Sequence, residues 1–158
     1  MAEQYKQRIS LSIFFLLSGF CFSTWASRIP TIKTIYDFNE AQLGNLLLTL
    51  PVSSLMGLPL SGWLVAKFDS RKPLLSSFII LNIALAMIGI SQSILMLIVA
   101  VFLFSFCMRI LNIAMNTQSI SVQRSFVRKI IGSFHGLWSL GGLIGVILST
   151  FMVKWNIS

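Results

Sequence analysis

Acidic residues are scarce in this chain: four Asp and Glu among 158 residues, against twelve Lys and Arg. Charged residues of either sign make up only 10% of it, where a soluble domain carries about 25%. With 56% hydrophobic residues and a mean hydropathy of +0.87, a domain this small cannot hide its apolar surface in one core. A soluble globular fold is therefore excluded, and so is disorder, which needs low hydrophobicity. Histidine occurs once, and one histidine builds no metal site without several other ligand types. There is no carboxylate pair within an apolar run, no phosphate-binding glycine loop and no serine elbow. Nothing marks an enzyme, and no cofactor is implied. The two cysteines, Cys21 and Cys107, both sit inside apolar runs, where they are expected to fill space rather than pair.

What the chain has is long apolar runs. A helix needs about 20 mostly apolar residues to cross the hydrocarbon core, and five runs meet or approach this: 9–27, 43–65, 74–90, 94–118 and 134–153. The fold class expected is an all-α membrane protein with five transmembrane helices. The first run is not read as a cleaved signal peptide, because four more spans follow and Trp25 and Arg28 suit the end of a retained helix. Pro30 biases Ile29 away from the helical region and is expected to close the first helix. Asn39, followed by Glu40, Ala41 and Gln42, has the pattern of an N-cap for the second. Only residues 91–93 separate the third run from the fourth, which makes an antiparallel hairpin.

The basic residues lie mostly between apolar runs and read as topology signals rather than a nucleic-acid-binding face. Consecutive spans alternate sides. One set of loops carries Lys6, Arg8, Lys67, Arg71, Lys72, Arg124, Arg128 and Lys129, and the other carries Arg28, Lys33 and Lys154. Eight against three places the N-terminus in the cytoplasm.

Inside lipid, helices associate through close packing of small residues and through polar contacts. Ser53, Gly57 and Ser61 are spaced four apart on one face of the second helix, and Gly141 and Gly145 form a close-approach pair in the fifth. Pro51 and Pro59 are positioned to bend the second helix. The sharpest polar signal is in the fourth helix. Arg109 lies about fifteen residues in, past the midplane toward the cytoplasmic half. Such a residue costs about 2.5–3.5 kcal/mol on insertion scales and is expected to face the bundle interior. Asn112 and Asn116 share its face. This face either lines a polar cavity and touches solute or makes interhelical hydrogen bonds that fix the bundle. His135, at the start of the fifth helix, is a residue type that titrates near neutrality. It has no acidic partner in any span, since Glu3, Asp37, Glu40 and Asp69 all lie in tails or loops. It is read either as a proton carrier or as an interfacial hydrogen-bonding residue.

Three segments, WASRIPTIK at 25–33, LNIAMNTQS at 111–119 and SFHGLWSLGGLIG at 133–145, give the chain a family likeness. So does the spacing of GWLVAKFDSRK at 62–72. Together they resemble the major facilitator superfamily, in its bacterial inner-membrane branch. The resemblance implies the N-terminal part of a twelve-helix secondary transporter, built from two six-helix halves that rock around a central site. It also implies a gating loop at Gly62, Lys67, Asp69, Arg71 and Lys72. There Ala66 stands where the family has an aspartate, Lys67 where it has an arginine, and Asp69 where it has a second glycine. In the fourth helix Arg109 takes a small-residue position and Asn112 an aspartate position. The fifth helix resembles the glycine-rich helix of some exporters but lacks its proline, so antiport is not implied. The function expected is transport of a small solute across the bacterial inner membrane. This chain is expected to be a fragment that is not competent alone, its partners being the bilayer, the solute and a C-terminal half. The alternative is a membrane interaction protein that docks to a separate second half or to itself.

The charge bias predicts that green fluorescent protein fused at Asp69 or Ser125 glows in the cytoplasm. Alkaline phosphatase fused at Asp37 or Ser91 is expected to be active outside it. Phosphatase activity at Ser125 would invert the orientation.

Overall fold

Lipid offers a backbone N–H or C=O no partner, so a chain crossing it must satisfy those groups within helices. The computed structural model describes residues 2–155. These form α1 (Ala2–Ile35), α2 (Glu40–Phe68), α3 (Arg71–Gly89), α4 (Ile94–Gln123) and α5 (Ile131–Lys154). All five are long and apolar enough to cross a membrane. Most overrun the apolar windows read from sequence, because polar residues continue a helix beyond the hydrocarbon at no desolvation cost. By the α-helical rise, the 34 residues of α1 extend about 51 Å, well over the roughly 30 Å of the core.

The expected stop at Pro30 does not occur, for α1 runs through it to Ile35. Proline removes its own N–H from the ladder and crowds the carbonyl four residues back, yet the flanking turns carry the helix past it. The end is made further on, at Asp37, whose φ is 49°. Phe38 N–H donates to the Lys33 carbonyl at 3.0 Å and Asp37 N–H to that of Thr34 at 3.3 Å. These are the two bonds of a Schellman cap, with Asp in the left-handed position that glycine usually fills. Asn39 then starts α2 with a capping box. Its side chain accepts from Gln42 N–H at 2.9 Å while its own N–H donates to Gln42 Oε1 at 3.0 Å. Lys33 and Glu40 form an ion pair across this turn.

The chain divides into two compact units, Met1–Pro30 with Met115–Ser158, and Thr31–Ala114. In the first, α1 meets α5 through backbone. A Cβ added to Gly141 would collide with the Leu16 carbonyl, one on Gly19 with the Trp138 carbonyl, and one on Gly145 with Ser23 Oγ and, at 2.9 Å, the Phe20 carbonyl. Contacts advance along both helices together, so α1 and α5 run in the same direction. Phe15 stacks on Phe134 with centroids 5.3 Å apart, and Phe15, Ser18 and Phe134 are buried. Trp25, read from sequence as marking a helix end, is also buried rather than presented to a headgroup layer. At the start of α1, Tyr5 meets Phe126 edge-on and the Arg8 guanidinium lies over the same ring, each at 5.5 Å. The loop carrying Phe126 is organised by Gln123. Its amide donates to the Arg128 carbonyl at 2.9 Å and accepts from Ile130 N–H at 2.6 Å.

In the second unit, α2 buries a narrow seam of Leu46, Ser53, Gly57 and Ser61. The hydroxyls of Ser53 and Ser61 donate to Leu50 and Leu58 carbonyls in their own helix, at 3.1 and 2.8 Å. Small residues thus line the contact without presenting an unsatisfied polar group. Outside the helices, the Tyr36 hydroxyl lies 2.9 Å from both the carbonyl and the hydroxyl of Ser91. This bond joins the α1–α2 connection to the α3–α4 connection.

Two substitutions in α5 should have opposite signs. Gly141→Ala forces its methyl into backbone and is expected to destabilise by about 1–3 kcal/mol. Gly136→Ala, which meets open space, should stabilise by about 0.5–1 kcal/mol through helix propensity. Thermal unfolding in detergent reads both.

Candidate functional site

Arg109 stands at the middle of α4, fifteen residues after Ile94 and fourteen before Gln123. It is the only Asp, Glu, Lys or Arg in the five apolar windows. Its Nε donates to Ser54 Oγ at 2.7 Å. A Cβ on Gly57 would lie 3.3 Å from Arg109 Cβ and 3.3 Å from the Phe106 carbonyl, so the glycine is what allows α4 to come this close. One turn earlier, Ser105 Oγ donates to the Leu50 carbonyl at 2.8 Å. The pairs 50/105 and 54/109 keep one sequence offset, so α2 and α4 run parallel here. Ser54 and Gly57 fall between Pro51 and Pro59, yet α2 remains continuous.

Arg109 thus has an interhelical hydrogen bond, one of the two roles the sequence left open. It is half-buried, and so is Asn112, three residues on. Asn116 continues the stripe along α4 on the part of that helix belonging to the first unit, and its side chain is exposed. Ser54 is the residue that sequence reading did not pick. The signal was present: an arginine at membrane depth needs a polar neighbour, and α2 places Ser54 one turn before Gly57, between its prolines.

Of the residues expected to form a gating loop, Gly62 and Lys67 lie in α2, Asp69 in the α2–α3 connection, and Arg71 and Lys72 at the start of α3. Lys67, Asp69, Arg71 and Lys72 are all exposed, and Gly62 has open space around it. The Lys67 ammonium lies 4.7 Å from the Trp63 ring centroid and 5.4 Å from that of Phe68. Asp69 takes φ 60° and ψ 155°. That region is essentially restricted to glycine and costs other residues about 1–3 kcal/mol. Asp69 Oδ1 accepts from Ser70 N–H at 2.6 Å, and among the described residues its carboxylate forms no ion pair. The helix end, in other words, demands a glycine conformation and has an aspartate in it.

His135 is exposed in the first unit, its ring edge-on to Phe15 at 5.4 Å, and its carbonyl accepts from Ser139 Oγ at 3.2 Å. No acidic side chain pairs with it among the described residues. Nor does any cluster of three or more His, Cys, Asp or Glu there offer a metal site.

Five membrane-length helices, with close small-residue contacts of α1 with α5 and of α2 with α4 and one arginine at mid-helix, define a polytopic helical membrane protein. The sequence profile described as the Major Facilitator Superfamily matches residues 11–157, and the chain belongs to that family. It is a multi-pass inner-membrane protein of a family of transporters, not of enzymes. An uncharacterised MFS-type transporter of Yersinia pestis is 32% identical over 140 residues, covering 89% of this chain and 36% of the relative. An uncharacterised transporter of Sinorhizobium fredii is 31% identical over 131 residues, covering 83% and 35%. The membrane protein MosC of Rhizobium meliloti is 29% identical over 133 residues, covering 84% and 33%. The chain spans about a third of the length of these relatives. No solved structure matches it.

Relieving the conformation at the α2–α3 connection should be visible directly. Asp69→Gly is expected to raise stability by about 1 kcal/mol or more, read as a higher midpoint of thermal unfolding, whereas Asp69→Ala should give no such gain.

Proposed function

We propose that these helices carry out transmembrane transport of a small solute as the first part of a major facilitator type secondary transporter. The N-terminus lies in the cytoplasm, and further helices complete the moving assembly. Arg109 and Asn112, on the part of α4 that belongs to the second unit, line the solute path. The observation that carries this reading is the placement of Arg109. A guanidinium at mid-helix is retained against a cost of about 2.5–3.5 kcal/mol. Its Nε is steered by Ser54 while its chain lies against Gly57. A charge needed only to join α2 to α4 is an expensive device where Ser105 and Leu50 already do so without one. Charged residues held in membrane interiors mark solute and ion pathways. The exposed loop at Lys67, Asp69, Arg71 and Lys72, with Gly62 one turn before it, supplies the cytoplasmic gate. His135 sits at the entrance to α5 as an interfacial residue; among the described residues no acidic side chain pairs with it.

Alternating access needs two bundles that move against each other, so these five helices are expected not to complete a cycle by themselves. The test is uptake of a labelled panel of small solutes into proteoliposomes. One set holds the chain alone, and another holds it co-assembled with the C-terminal two-thirds of the Yersinia relative. Uptake by the co-assembly, lowered by Arg109→Ala, is the expected result. Uptake by the chain alone would remove the requirement for further helices, and none by a well-inserted co-assembly would reject transport.

A further inference from the structure

The charge distribution around Arg109 names the class of solute. This inference rests on the reading of Arg109 as solute-facing. The apolar windows hold one positive charge and no carboxylate, for all four acidic residues lie outside them. Arg109 Nε is committed to Ser54 Oγ. Among the described residues its two terminal nitrogens make neither a hydrogen bond nor an ion pair. A half-buried guanidinium with its terminal donors unused is electrostatically incomplete, because charge removed from water needs a partner of opposite sign. The neighbours cannot serve. Gly57 brings only backbone, Ser54 is already taken up at Nε, and Asn112 is a neutral amide.

We propose that Arg109 recognises the solute through an oxyanion, a carboxylate or a phosphate of a small organic molecule. Guanidinium offers its donors as a rigid planar fork that matches two oxygens of such a group. The bond from Nε to Ser54 fixes the plane of that fork and leaves the terminal nitrogens to form it. The aim of the fork is thus set before solute arrives, which lowers the ordering cost of binding. A cationic solute meets only repulsion, and a neutral sugar leaves the charge unpaired.

The experiment is calorimetric titration of the full chain in nanodiscs of neutral phosphatidylcholine, so that lipid headgroups bring no net negative charge. Sodium benzoate, sodium phosphate, glucose and tetramethylammonium chloride are compared at constant ionic strength. Saturable binding is expected for benzoate, for phosphate or for both, whichever oxyanion the site accepts, and not for glucose or the cation. Arg109→Gln should weaken that binding about tenfold or more, as loss of a charge-assisted pair does. Arg109→Lys should keep the preference for anions at lower affinity, and Lys6→Gln should leave binding unchanged. No saturable anion binding by the folded wild-type chain, equal binding of glucose, or full anion binding by Arg109→Gln would each overturn the proposal. The two readings fail separately. Anion binding without uptake in the co-assembly rejects transport and leaves this inference standing. Uptake of a neutral or cationic solute, with no anion binding, does the reverse.

Discussion

Within hydrocarbon, only protein can satisfy a polar group, and the arrangement of this chain follows from that constraint. It makes every apolar segment a helix and sends the hydroxyls of Ser53 and Ser61 back to carbonyls of their own turns. It also leaves helix association to surface shape rather than to hydrophobic force. The contact of α1 with α5 is accordingly backbone on backbone at Gly19, Gly141 and Gly145, and that of α2 with α4 runs through Ser54, Gly57 and Leu50. Where the constraint lifts, at the helix ends, the chemistry changes at once. The connections use a Schellman cap, a capping box, an ion pair and a tyrosine hydroxyl, each suited to water rather than lipid.

Much of this was legible in the sequence because the signals are strong and local. Long apolar runs announce helices, Asn39 and Gln42 announce a cap, and Gly141 and Gly145 announce a close approach. What stayed hidden was relational. Gly19 is half of a small-residue pair with Ser23, but only the facing backbone of α5 shows that this pair is used. Ser54 looks like any membrane serine until Arg109 is placed against it. Pro30 misled for a different reason. The rule for residues before proline is a local bias of modest size, and the turn stabilised at Asp37 and Phe38 outweighs it.

Asp69 stands where the resemblance to the family implies a glycine, and the backbone gives that expectation a physical reason. The backbone at that position lies where side chains are strained, so the glycine expected there answers to geometry and not to chemistry. An aspartate is retained with its carboxylate turned to Ser70, a local bond that offsets part of the strain.

The position of Arg109 also bears on how α4 enters the membrane during synthesis. Between Ile94 and Met108 lie ten Leu, Ile, Val and Phe residues. Each favours insertion by about 0.3–0.6 kcal/mol near the centre of a helix, against about 2.5–3.5 for the arginine. Their sum, about 3–6 kcal/mol, equals or exceeds the penalty. The fourth helix therefore partitions into the bilayer on its own composition. Its arginine is delivered to depth as a passenger, without a carboxylate on a neighbouring segment to escort it.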